Sequence, residues 1–379
     1  MPSLVTIAGI IVILAIVWDA FESLVLPRTA SRKLRPTRLF YKIAWPSWTA
    51  VARLFGRGRR RENFLAIFGP LSFLMLMACW AVALMTGFAM VQWGLGSRLN
   101  VPQGAAGFWT DLYMSGTTLF TLGIGDVTPI GPIARVITVI EAGVGFGFLA
   151  LVIGYLPVLY QGFSRREVNI SLLDARAGSP PSAGELLVRH VSDAAELETL
   201  LRDWERWAAE LMESHLSYPV LLFFRSQHEH QSWLGALTAV LDASALVMAG
   251  VDGGPVRQAR LTFAMARHAV VDLAQAAGIA PKPPDPDRLP PEDFRSLRSH
   301  LAQHGVDVKE GAMAERTLAA LRALYEPYVA QLAAGLRLTL PPWRRPADEA
   351  DNWRTSAWEN GASGSAGLSR HDLGDHPEL

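Results

Sequence analysis

Three stretches of the chain hold almost no polar positions. Residues 4–26, LVTIAGIIVILAIVWDAFESLVL, with 64–93 and 130–160, each exceed the roughly 20 residues a helix needs to cross about 30 Å of hydrocarbon. The first has no basic stretch before it, and WDAFES does not look like a small-residue cleavage site, so it reads as a retained anchor helix. Between the second and third lies GFWTDLYMSGTTLF, moderately apolar but too short to span, followed at once by TLGIGD. Beyond FSRREVNISLLDARAGSPPSAGELL the pattern changes to helical periodicity. Asp193 with Glu196 fits a capping box, and Leu197, Leu200, Trp204 and Leu211 fall on one face. Further helices are predicted over 219–249, 255–277, 291–304 and 312–336, broken by GVDGGP and APKPPDPDRLPPED, with a five-helix bundle as the simplest arrangement. Residues 234–251 are apolar enough for a fourth span, but that would place Asp242 in mid-membrane, and their Ala, Ser and Gly suit a buried bundle helix better.

Charge gives the spans a direction. The formal net charge is zero, yet 28–61 holds eleven Lys or Arg and no acid, and Arg98 is the one basic residue of 94–129. Lys and Arg near span ends stay inside. The amino terminus is therefore expected outside the cell (inner) membrane, 94–129 also outside, and everything after the third span in the cytoplasm. Within the basic block, YKIAWPSWTAVARLF interleaves aromatics with Lys42 and Arg53, the pattern of a helix in the headgroup layer or, less specifically, of a packed loop. Cys79 is the single cysteine, which excludes an intrachain disulfide or a cysteine-rich zinc site. No span carries repeated arginines of the kind a voltage sensor needs, and no nucleotide fingerprint or nucleic-acid patch is present.

A segment that enters and leaves a bilayer from one face must satisfy its backbone inside protein or water. GFWTDLYMSGTTLF and TLGIGD are thus expected as a re-entrant short helix and an extended glycine-containing strand, because glycine reaches angles that turn successive carbonyls one way. Rings of such carbonyls can replace a cation's hydration shell. Here the chain resembles the potassium-channel pore family, whose filter is usually written T-V-G-Y-G-D, matched by Thr121, Leu122, Gly123, Ile124, Gly125 and Asp126. The resemblance covers about 64–162. It implies that the carbonyls of Thr121, Leu122, Gly123 and Ile124, with that of Gly125, and the Thr121 hydroxyl line a path for K+ ions, with Asp126 at its mouth. Pro129 and Arg135 fall where family members often carry these residues. It also implies a homotetramer, since one loop cannot encircle an ion. Ile124 replaces the usual aromatic residue and Phe120 the usual threonine, which leaves a weakly selective cation channel as an alternative.

In the third span the resemblance marks Gly145 as a hinge, and Pro157 lies where a bundle crossing would form; close helix packing on the second span is the alternative for its glycines. Glu141, one turn before Gly145, either faces a cavity or pairs between helices, and Asp19 and Glu22 are expected to be neutralised by Arg28 or Arg32. His228, Glu229 and His230, with His268 and Asp272, are weak metal-site candidates, better read as ordinary surface or core residues.

The whole reads as an all-α membrane protein, a homotetramer in the lipid bilayer. Its expected parts are an N-terminal span (1–27), a basic segment (28–62), a pore domain (63–162), a linker (163–184), a cytoplasmic helical domain (185–340) answering an unknown ligand or protein, and a disordered tail (341–379). The expected activity is potassium conduction with no catalysis. Rivals are a non-conducting membrane-anchored sensor and, lower, a membrane-tethered enzyme using the histidines.

Overall fold

A computed structural model describes residues 2–26, 35–56, 58–101, 107–191, 193–226 and 231–345. Arg28, Arg32, His228, Glu229, His230 and the tail beyond 345 lie outside the described residues. What is described is almost wholly helical and forms two compact units, Met1–Arg165 with Leu211–Arg225, and Arg166–Glu210 with Ser226–Leu379.

The first unit contains α1 (Pro2–Leu24), α2 (Pro36–Ala52), α3 (Arg59–Gly94), α4 (Phe108–Leu119) and most of α5 (Pro132–Ala177). α1, α3 and α5 are the three predicted apolar runs, and each is long and apolar enough to cross a membrane. α3 has 36 residues and α5 has 46. At 1.5 Å per residue they reach about 54 and 69 Å, so both outrun the hydrocarbon layer. α1 lies along α3 through two glycines: a side-chain carbon at Gly9 would meet the Gly87 carbonyl at 2.6 Å. Such small-residue contacts let apolar helices approach closely where lipid supplies no hydrophobic drive. Two-residue strands β1 (Leu99–Asn100) and β2 (Thr128–Pro129) pair antiparallel and tie the two ends of the α3–α5 connection together.

The second unit holds the end of α5, α6 (Ala183–Arg189), the larger part of α7 (Ala194–Ser217), α8 (Trp233–Gly250), α9 (Val256–Ala276), α10 (Pro291–Gln303), α11 (Ala312–Ala323) and α12 (Glu326–Leu336). Asp193 caps α7 as predicted, its Oδ1 accepting from the N–H groups of Ala195 (2.8 Å) and Glu196 (3.0 Å). α8 is also long and apolar enough to span a bilayer, but every residue of 233–247 is buried against protein. Asp242 in its middle is held by Arg288 (2.8 Å) and by the Tyr325 hydroxyl, so the acid has partners that no lipid could supply.

Four details differ from the expected pattern. The stretch read as a linker is helical to Ala177, because Ile170, Leu173 and Ala177 are buried at helical spacing; the helix stops only where Gly178 takes the left-handed conformation (φ 80°). The helix expected over 219–249 starts instead with a 3-10 turn, Pro219–Phe223, and α8 begins only after Ser232, whose hydroxyl caps Gly235 N (2.9 Å). The helix expected over 312–336 divides between α11 and α12, where Pro327 lies in the first turn of a new helix. With α6 added, the C-terminal part therefore has more helices than the five predicted. Disorder was expected from Pro341 onward, yet Trp343 is buried, its carbonyl accepting from Gly184 N at 2.9 Å, and Arg288 and Arg322 lie over its ring.

Candidate ion-conduction site

α4 begins after Gly107, runs twelve residues and stops at Phe120. The chain then turns back on it: Leu122 N donates to Thr117 O at 2.8 Å and Gly123 N to the same oxygen at 3.2 Å. Thr121, Gly123 and Gly125 have φ of 56°, 54° and 82°, while Leu122 and Ile124 between them do not take positive φ. Alternation of this kind turns successive carbonyls to one side of the strand. Glycine adopts it freely, whereas for Thr121 it is a strained state of about 1–3 kcal/mol that the surrounding structure must hold. Among the described residues no hydrogen bond is accepted by the carbonyls of 121–125. All six residues of 121–126 are exposed in the single chain. The arrangement is a short row of backbone carbonyls without hydrogen-bond partners among the described residues, a chemistry able to take up a dehydrated cation.

Asp126 closes this row. Its Oδ2 accepts from the Tyr113 hydroxyl at 3.0 Å and its Oδ1 from Val127 N at 3.0 Å. Arg135 donates through Nε to Pro129 O at 3.2 Å, which holds the exit of the loop to the start of α5. The side chains of Phe120 and Ile124 are 57% and 61% exposed, so neither braces the row from within the chain.

α5 meets α3 and α4 along one stripe. Gln92 of α3 donates through Nε2 to Ala134 O (3.1 Å) and Thr138 Oγ1 (3.3 Å). A turn further, Glu141 is fully buried and its Oε1 is hydrogen-bonded to Ser115 of α4. Of the two readings for this acid, the interhelix pair is the observed one. Another turn on, a side-chain carbon at Gly145 would lie 2.0 Å from the Leu119 carbonyl. Gly145 thus packs on the end of α4 rather than on α3, while Gly143, Gly147 and Gly154 have nothing within 4 Å. α5 continues unbroken through Pro157. Ile133, Val136, Val139, Phe146, Leu149 and Ile153 remain exposed along its other faces.

Two features of the unit were not foreseen. Asp19 and Glu22 are neutralised by Arg35, at 3.4 and 3.3 Å, and Asp19 Oδ2 also accepts from Thr37 N (2.9 Å), Thr37 Oγ1 (2.6 Å) and Trp80 Nε1 (3.1 Å). The acid so joins α1, α2 and α3. The second is Leu211–Arg225, which belongs to this unit although it follows α6 and most of α7 in the chain. Phe223 stacks on Tyr41 (5.3 Å) and packs on Trp45 and Phe68; Tyr218 meets Tyr155, and Phe224 meets Phe163. A carbon at Gly69 would meet Phe224 Cδ2 at 2.7 Å, so α3 is notched to receive it. YPVLLFF, too apolar for a loop, was the available signal.

The weak metal candidates do not assemble among the described residues. His268 Nε2 is 3.5 Å from Asp272 on the exposed side of α9, and no group of three possible ligands forms there; His228 and His230 lie outside the described residues.

Residues 72–161, which take in most of α3, α4, segment 121–125 and the first part of α5, match the family model described as "Ion channel"; with three helices of the first unit long and apolar enough to span a bilayer, the chain is a membrane protein. Over 256 residues the chain is 25% identical to the "Uncharacterized membrane protein YdjJ" of Bacillus subtilis (strain 168), covering 64% of this chain and 72% of that protein. Over 90 residues it is 34% identical to "Protein LctB" of Geobacillus stearothermophilus, covering 21% of this chain and 66% of that protein. No solved structure matches the chain.

Proposed function

We propose that four copies of this chain form a potassium-selective channel in the cell membrane, conducting K+ along the carbonyls of 121–125 with Asp126 at the outer mouth. The observation that carries the reading is the alternation of left-handed residues at Thr121, Gly123 and Gly125 with every carbonyl between them unpartnered. One such row offers an ion a single side of a shell, and the exposed apolar faces of α5 suit burial against further copies and lipid. The basic block supports an orientation with the amino terminus outside and the second unit in the cytoplasm. Gating at α5, around Gly145 and Pro157, by that helical domain is supported by the continuity of α7, whose last turns belong to Leu211–Arg225, the segment that packs on α5 at Tyr155 and Phe163. Its stimulus would be a cytoplasmic ligand or protein.

The test is cation flux from liposomes holding the purified full chain, comparing potassium, rubidium and sodium, with Gly123→Asp as control. Potassium and rubidium flux well above sodium, lost in the variant, is the expected result. Equal flux of all three would replace it with a weakly selective cation channel, which the exposed Ile124 and Phe120 favour. No flux under any condition would favour a non-conducting membrane scaffold.

A further inference from the structure

A hydrogen bond between Glu141 and Ser115 ties α5 to α4, the helix that leads into the carbonyl row. Ser115 Oγ is also 2.8 Å from Met85 O of α3, so three helices meet at one hydroxyl. Two residues further along α4, Thr117 O receives both Leu122 N and Gly123 N. The path from Glu141 to the backbone of the row is therefore one side-chain contact, half a helical turn and a pair of hydrogen bonds. On the same face of α5, one turn on, Gly145 lies against Leu119, the last residue of α4. The end of α4 is thus held at two points, one polar and one by close approach. Only the polar one sets direction, because a hydrogen bond fixes both distance and angle.

We infer that Glu141 is a positioning residue for ion selectivity: from α5 it holds Ser115, and through α4 it fixes the register in which 121–125 present their carbonyls. This rests on the channel reading and specifies which buried group outside the ion path sets its geometry. A carboxyl is not essential to the tie. Ser115 has one hydroxyl proton and two acceptors in reach, Met85 O and Glu141 Oε1, so an amide at 141 can supply the second donor while an aliphatic side chain cannot. Glu141 Oε2 has no hydrogen-bond partner among the described residues, so Gln in its place loses no second bond there.

The experiment compares Glu141→Gln, Glu141→Val and Ser115→Ala with the unmodified chain, in two readouts. Hydrogen exchange of peptides covering 117–125 reports on the amides of Leu122 and Gly123 and needs no conduction. Glu141→Val and Ser115→Ala should speed their exchange roughly tenfold, the effect of losing one buried hydrogen bond behind them, while Glu141→Gln stays within about twofold. Rubidium-to-sodium flux ratio in liposomes should fall in the first two variants and be kept in the third. A variant that only weakened the fold would raise exchange throughout α3 and α5 and leave the ratio of its remaining flux intact, which would overturn the assignment. Wild-type exchange at 122 and 123 in Glu141→Val would overturn it as well. If the unmodified chain carries no flux, the channel reading falls and the exchange result alone still decides whether Glu141 positions the segment.

Discussion

At single residues, the informative positions are those where the backbone or a charge has no freedom. Thr121 is one of two non-glycine residues with positive φ among those described, and it begins the carbonyl row. Gly145 is the other kind. The resemblance marked it as a hinge, and the structure supplies a packing reason for its lack of a side chain, the Leu119 carbonyl 2.0 Å from where a carbon would sit. Because that obstacle is backbone, Gly145→Ala should destabilise the domain by about 1–3 kcal/mol. Gly143→Ala, with nothing within 4 Å, should stay within about 0.5 kcal/mol. Thermal unfolding of the two purified variants separates packing from a pure hinge role, which would alter gating while leaving both midpoints alike. Glu141 shows the limit of reading such sites in sequence: an acid in an apolar run announces that a partner exists, but Ser115 is 26 positions away and nothing local names it.

At the level of elements, the apolar runs and the short helix between the second and third of them could be read closely, since length and hydropathy decide what can cross a membrane. The ends of α5 and the fate of 211–225 could not. Both depend on which surfaces other elements cover. The aromatic junction of Tyr41, Trp45, Phe68 and Phe223 makes 211–225 a packed part of the first unit. Phe223→Ala should therefore loosen that unit by about 3 kcal/mol. Hydrogen exchange should rise over α2 and over 155–163, with the amides of α8 unaffected. Equal loosening of α8 would show the segment to belong to the second unit instead. The same geometry makes removal of everything after 184 a poor probe of gating, because it strips packing from α2, α3 and α5 along with any regulatory part.

For the whole molecule, the second unit has its own titration behaviour. His300 is partly buried beside the His304 ring (4.5 Å), with Glu185 3.8 Å away. Burial first, then His304 and Arg344, holds its imidazole below the ordinary 6.5, against the pull of Glu185. The folded state thus binds fewer protons there than the unfolded one. Its contribution to stability is complete above 6.5 and is lost as pH falls through the lowered folded value. The unfolding midpoint of the purified chain should drop as the medium is acidified below 6.5, and His300→Gln should flatten that dependence. An unchanged slope in the variant would assign the pH response to other groups.

The sequence alone determined the class of protein: three apolar runs, a basic block beside the first two, and a glycine-spaced segment between short and long apolar stretches follow from hydropathy, charge and backbone freedom, all local properties. Tertiary structure decided who partners whom. Arg35 holds Asp19 and Glu22, Arg288 and Tyr325 hold Asp242, Ser115 holds Glu141, and 211–225 joins the first unit. A buried charge or ring states in sequence only that it needs a neighbour. Which neighbour depends on the three-dimensional path of residues far apart in the chain, and no periodicity encodes it.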